Sequence, residues 1–229
     1  AKKVNNEMLA ADCLSGVGVV YEAQHNIEKA LDAYSHALAI YRARGKELLA
    51  GEMLSSMANA YKKQGDYLQS ILNYKEALGY FNSGNDRNKV AGVLSKLGNV
   101  HALIEDYNES LRLYEQAYLD AISIKDQDVI VESCLGMALA YENLRQYPES
   151  IRYHKLYEQK KDSLVKVQHA NELADLKIKY EKNKATIDLE SGDVANLMSM
   201  QSSGKSNMAY MIIGACTFTV LLVVGFIWR

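Results

Sequence analysis

The stretch Leu97-Gly-Asn-Val-His-Ala-Leu-Ile-Glu-Asp-Tyr-Asn-Glu-Ser-Leu-Arg-Leu-Tyr-Glu-Gln-Ala117 decides the fold. It reads as two amphipathic helices joined at Glu105-Asp106. Gly98 and His101 lie one turn apart on the first helix. Ser110, Tyr114 and Ala117 lie three to four residues apart on the second, so each set shares one helical face. A helix pair this short cannot bury such a face alone and needs neighbours of the same kind.

The sequence supplies them at a constant interval. Upstream stand Met57-Ala58, Tyr61, Gly65-Asp66-Tyr67, Ser70, Tyr74 and Ala77. Before them come Val17-Gly18, Tyr21, Asn26-Ile27, Ala30, Tyr34 and Ala37. Downstream are Met137-Ala138, Tyr141, Gln146-Tyr147, Ser150, His154 and Tyr157. A small residue (Gly18, Ala58, Gly98, Ala138) recurs where helices must approach closely, and a ring (Tyr34, Tyr74, Tyr114, His154) fills the space between them. A fixed period of helix pairs predicts a solenoid.

At these residues the chain resembles the tetratricopeptide repeat (TPR) family, over roughly residues 10–160. The family's usual period is about 34 residues. The interval from Gly18 to Ala58 to Gly98 is longer, which implies slightly longer helices. Departures are local. Cys134 stands where Leu14, Leu54 and Leu94 stand, Tyr157 replaces the last Ala, and the usual Pro after the second helix is missing. The expected fold class is all-α: a TPR solenoid of four 40-residue helix-turn-helix repeats, a long C-terminal helix and one transmembrane helix. The repeats fall at about 8–46, 47–86, 87–126 and 127–160, within a superhelix spanning 1–160.

Composition agrees with a globular helical chain: 48% of the 229 residues are hydrophobic, 24% are charged and one is Pro. The net charge of −2, without a Lys/Arg block, argues against a nucleic-acid partner. Cys13, Cys134 and Cys216 are odd in number and far apart, so they form no disulfide framework or metal pair. The start at Ala1-Lys-Lys-Val implies a processed or trimmed N-terminus.

Beyond the fourth repeat, Glu149 to Glu190 contains no Gly and no Pro, which predicts one long helix or two nearly continuous ones, assigned to 161–190. Leu173, Leu176, Tyr180 and Ile187 follow a 3-4-7 spacing, about two heptads of coiled coil. One reading makes this helix the cap of the last repeat. The other makes it a signalling or homodimerising helix through 164–189. Residues 191–207 read as a flexible linker. Gly204-Lys205-Ser206 imitates a phosphate-binding loop, but Ser199 stands where that motif needs Gly. From Met208 to Trp228 the chain then carries no charge at all. As a helix this stretch spans about 31 Å, enough for a bilayer core, with Tyr210 and Trp228 near its ends. Residues 208–228 are therefore expected to cross a membrane and meet lipid.

The concave face of a solenoid is lined by the first helix of each pair. By resemblance to the family, that groove takes a peptide or protein ligand. Asn59 and Asn99 follow the small residue in repeats two and three, where family members hold a ligand backbone, and an amide both donates and accepts. Lys62, Lys63, Lys96, Glu142 and Asn143 share those faces, whereas Val19 and Leu139 replace the Asn in repeats one and four. A carboxylate clamp of the family's kind is incomplete, because Ser55, Ser95 and Gly136 stand where its basic residues belong.

No catalysis, metal or cofactor is expected. His25, His36, His101, His154 and His169 have no close metal spacing. His101 and His154 replace aromatics of the repeat and should pack in the core. Gly16-Val-Gly18 lacks the strand that a dinucleotide site requires.

The layout resembles the input region of Bacteroidetes-type membrane-bound histidine kinases and LuxR-type regulators. That resemblance implies a single-pass membrane protein with periplasmic repeats, expected to be the sensing part of a bacterial signal-transduction protein without the output module that follows the span in such proteins. The alternative is a cytosol-facing, tail-anchored adaptor, a layout shared with the mitochondrial fission adaptors.

Overall fold

The structure, a computed structural model, describes residues 2–166, 171, 174–179 and 181–182. Seven helices have defined ends: α1 (Lys2–Ala23), α2 (Ile27–Ala43), α3 (Glu47–Gln64), α4 (Tyr67–Ser83), α5 (Arg87–Leu103), α6 (Tyr107–Ile124) and α7 (Gln127–Asn143). An eighth, α8, covers 147–166. No strand occurs among the described residues. The chain divides into two compact units, Ala1–Lys166 and Val167–Arg229. In the second unit, residues 171, 174–179 and 181–182 are helical.

Helices α2 to α8 begin at an even spacing, on Ile27, Glu47, Tyr67, Arg87, Tyr107, Gln127 and Tyr147, so the turns repeat at half the sequence period. Each turn contains one residue in the left-handed region: His25, Gly45, Gly65, Asn85, Glu105, Lys125 or Arg145, with φ between 57° and 87°. Two hydrogen bonds close every turn. At the turn after α5, the Glu105 N–H donates to the Ala102 carbonyl and the Asp106 N–H to the His101 carbonyl. This pairing satisfies the last carbonyls of a helix. The residue after the left-handed position then caps the next helix. Asn26, Asp66, Asp86, Asp106 and Asp126 each accept a backbone N–H three residues on, at 3.1–3.4 Å. Such a cap contributes about 1 kcal/mol. Lys46 makes no side-chain cap.

Within the first unit, successive helices pack on one another, and α5 also touches α7. The rings of Tyr34 and Tyr74 are fully buried and Tyr114 nearly so. A Cβ on Gly18 would overlap the Tyr34 ring, and one on Gly98 would meet Cγ and Cδ2 of Tyr114 at 3.2 Å. Ala58 and Ala138 are fully buried at the same register, and the Ser70 hydroxyl donates to the Ala58 carbonyl at 2.8 Å. The recurring small residue is thus the seat for a ring from the second helix.

His101 is buried, with Nδ1 3.1 Å from Asp106 Oδ2. His154 departs from the expected core position. Its side chain is 42% exposed, 3.9 Å from Glu142, because no described helix packs over it as α7 packs over Tyr114.

The membrane assignment is corrected. No helix among the described residues is long and apolar enough to cross a membrane, so neither the periplasmic single-pass arrangement nor the cytosolic tail anchor is retained. The 208–228 stretch and the 191–207 linker lie outside the described residues, as does most of 164–189. Of the four heptad positions only Leu176 is described, and it is exposed.

Candidate peptide-binding face

Polar side chains tie the first helices α1, α3 and α5 to one another, and α7 packs against α5. The Lys62 ammonium on α3 donates to Asn99 Oδ1 on α5 at 3.2 Å. Lys63 pairs with Glu22 on α1 at 2.7 Å. Lys89 on α5 pairs with Glu52 on α3. Asn59 and Lys96 line a cavity of about 550 Å³ between α3 and α5, together with Ser15, Ser55, Ser56 and Gly92. Gly92 has open space where a Cβ would stand.

The two asparagines have a structural duty that spacing alone did not reveal. Asn59 Oδ1 accepts the hydroxyl of buried Tyr74, and Asn99 hydrogen-bonds the hydroxyl of Tyr114. In repeat one, where Val19 takes the Asn position, Glu22 accepts the Tyr34 hydroxyl at 2.9 Å instead. Tyr34 and Tyr74 thus thread their rings between helices and donate their hydroxyls to Glu22 and Asn59, whereas Asn99, whose Oδ1 accepts from Lys62, turns its amide donor to the Tyr114 oxygen. Burial pushes all three hydroxyls well above the usual tyrosine range, Tyr114 to about 12.

Lys62 is half-buried. Burial holds its ammonium below the usual lysine range; Glu132 opposes this, while Lys96 and Lys63 add to it. A desolvated lysine beside two others favours an incoming anion. Lys62, Lys96, Asn59 and Asn99 are thus brought together, with Lys63 beside them but engaged by Glu22. Glu142 and Asn143 are not part of this group. Both are exposed at the end of α7, where Glu142 faces His154 and Asn143 donates to the Leu139 carbonyl at 2.9 Å. Sequence reasoning missed Glu22 and Glu132, which set the charge of the face. Glu22 stands one full repeat before Lys62, so the repeat register held that signal. Among the described residues, no group of three His, Cys, Asp or Glu could hold a metal ion.

A solenoid of helix pairs with a polar, cation-bearing inner face is a TPR-like helical-repeat protein-interaction domain. The family described as SNAP, soluble NSF attachment protein, matches residues 1–131. That is more than half of the chain, and the chain belongs to this family. A search of curated proteins found no match.

Solved structures agree in fold. BtubC (BKLC) from P. vanneervenii is 16% identical with a TM-score of 0.63, over 67% of this chain and 64% of that one. Aspartyl phosphate phosphatase F from Bacillus subtilis is 11% identical with a TM-score of 0.66, over 69% and 42%. A Rap protein complexed with Competence and Sporulation Factor is 15% identical with a TM-score of 0.62, over 67% and 43%. The chain spans less than two thirds of the length of each. At these identities the likeness establishes the fold alone. The narrower likeness to histidine-kinase and LuxR-type input regions is not carried by these matches.

Proposed function

We propose that the inner face of α3 and α5 binds an extended acidic segment of a partner protein, and that the role of the chain is recognition rather than catalysis. The observation that carries this reading is the half-buried Lys62, grouped with Lys96 and Asn99 beside a cavity open to solvent. Lys62 is desolvated without a paired carboxylate within ion-pair distance among the described residues, so a carboxylate from outside would complete it. Lys89 and Lys63 are already matched by Glu52 and Glu22, which narrows the binding charge to Lys62 and Lys96. The neighbouring Rap protein, complexed with Competence and Sporulation Factor, supports a partner of peptide or protein nature.

The test is fluorescence anisotropy with acidic, neutral and basic extended peptide pools. Acidic peptides should bind, and Lys62→Gln with Lys96→Gln should weaken them about tenfold or more, as expected for loss of charge-assisted hydrogen bonds. Equal binding of all three pools, or an unaffected double variant, would remove the assignment.

A further inference from the structure

The lysines grouped on the inner face are held differently. Lys63 is exposed and pairs with Glu22 at 2.7 Å. Lys96 lines the cavity between α3 and α5. Lys62 is half-buried, and its nitrogen donates to the neutral amide oxygen of Asn99 at 3.2 Å. Among the described residues no carboxylate lies within ion-pair distance of it. Glu132 favours its charge from further away, while Lys96 and Lys63 oppose it.

This setting prepares Lys62 as a nucleophile. Desolvation and neighbouring cations both favour the uncharged amine, the form with a lone pair to give. The Asn99 oxygen accepts an N–H from an amine as well as from an ammonium, so the side chain keeps its place after losing a proton. Because Lys62 is only half-buried, a small reagent can reach its nitrogen. The positive charge around it draws an anionic reagent in particular. Lys63 shares its charge with Glu22, which leaves Lys96 to hold the anion.

We propose that Lys62 is a site of acylation by small acyl phosphates, with the Lys96 ammonium holding the phosphate while the Lys62 amine attacks. The Lys62 ammonium first gives one proton to solvent. Its lone pair then attacks the acyl carbon, a C–N bond forms, and the C–O bond to phosphate breaks with its electron pair. The phosphate takes a second proton from the nitrogen and leaves as inorganic phosphate. Nothing is oxidised or reduced, and Lys62 ends as an uncharged amide that keeps an N–H for Asn99. One consequence, which rests on the binding reading above, is that the acylated face loses a cation that an acidic segment needs.

The test treats the full chain with acetyl phosphate at neutral pH, to sub-stoichiometric modification, and maps the acetylated lysines by peptide mass spectrometry. Lys62 should react severalfold faster than the exposed Lys46, Lys75 and Lys125. Lys96→Gln should slow acetylation of Lys62 by acetyl phosphate severalfold, and should slow it much less with the uncharged ester p-nitrophenyl acetate. Circular dichroism of that variant should be unchanged, because Lys96 is partly exposed. Reaction at Lys62 no faster than at the exposed lysines would overturn the proposal. Equal slowing with both reagents would overturn the part given to Lys96. Chain acetylated at Lys62 should bind acidic peptides as weakly as Lys62→Gln does. If acidic peptides fail to bind even the untreated chain, the binding reading falls, while the mapped acetyl group still decides for or against the site.

Discussion

The ring of Tyr114 on α6 rests on Gly136 of α7 so closely that a single added methyl would overlap it. On its other side the same ring meets Gly98 of α5. One tyrosine is thus held between two successive first helices, and the small residues on both sides set how near those helices stand.

Gly136→Ala should therefore destabilise the chain by about 1–3 kcal/mol, the usual cost of overpacking a core. Gly16→Ala supplies the contrast. It lies in α1 with open space around an added Cβ, and removing a mid-helix glycine should stabilise by about 0.5–1 kcal/mol. Urea denaturation of both variants at low protein concentration checks the opposite signs.

The left-handed turn residues offer a second pair of opposite outcomes. Glu105 and Lys125 hold φ near 60° with a Cβ, a conformation that costs an L-residue about 1–2 kcal/mol. Glu105→Gly and Lys125→Gly should raise stability by about 0.5–1 kcal/mol, after the greater chain entropy of glycine is subtracted. Gly65→Ala should lower it by a similar amount. Thermal denaturation at one protein concentration reads all three.

Asn59→Ala should cost about 1–3 kcal/mol by leaving the Tyr74 hydroxyl without its acceptor. Tyr74→Phe in the same chain should recover much of that loss. Asparagine removal thus tests packing as much as ligand contact, and the lysines are the cleaner probes of binding. A double-mutant cycle of the two positions by denaturant melts gives the coupling.

Lys62 makes a prediction in pH. Its folded pKa lies below the unfolded value because burial disfavours the ammonium. Its contribution to stability is unfavourable while it is protonated in the fold, and this penalty is relieved as the pH rises through the folded pKa. An acidic peptide would favour the ammonium and raise that pKa. At pH values near the depressed pKa, binding should take up protons, seen as a buffer-dependent enthalpy in calorimetry. Lys62→Gln should abolish the buffer dependence.

The thiols should separate by reactivity. Cys13 is exposed, whereas Cys134 is fully buried and burial pushes its thiol up to about 11. A thiol-specific reagent followed by peptide mapping should label Cys13 in the native protein. It should label Cys134 only after denaturation.

The helix pairs and their period were legible because small residues and rings recur in phase, and that signal survives without any tertiary knowledge. The half-period of the turns was also written in the chain, at Asn26, Asp66, Asp86, Asp106 and Asp126. It was obscured because the left-handed residues before these caps, His25, Asn85 and Glu105 among them, are not the glycines that usually mark such a turn. The site was less legible. Asn59 and Asn99 lie on the first helices α3 and α5, but a hydroxyl arriving from another helix gives no local signal, so their contacts with Tyr74 and Tyr114 could not be read. Glu142 and Asn143 shared the helical register of the lysines, yet they stand one or two helices further along. His154 shows the limit of repeat logic: its position is that of a core ring, and the helix that would bury it is not in the described fold.

The uniform turns also quantise the length of this molecule. Each residue of α-helix rotates its successors by about 100°, so one residue inserted in α3 would swing Asn59 and Lys62 off the face they share with Lys96. Loss of half a repeat would restore the turn but exchange inner helices for outer ones, bringing Asn82 and Gln116 to the places of Lys62 and Lys96. Only the gain or loss of a full helix pair returns every side chain to its own row. Growth or shortening that keeps the binding surface must therefore come in whole repeats, and the surface lengthens by one inner helix each time.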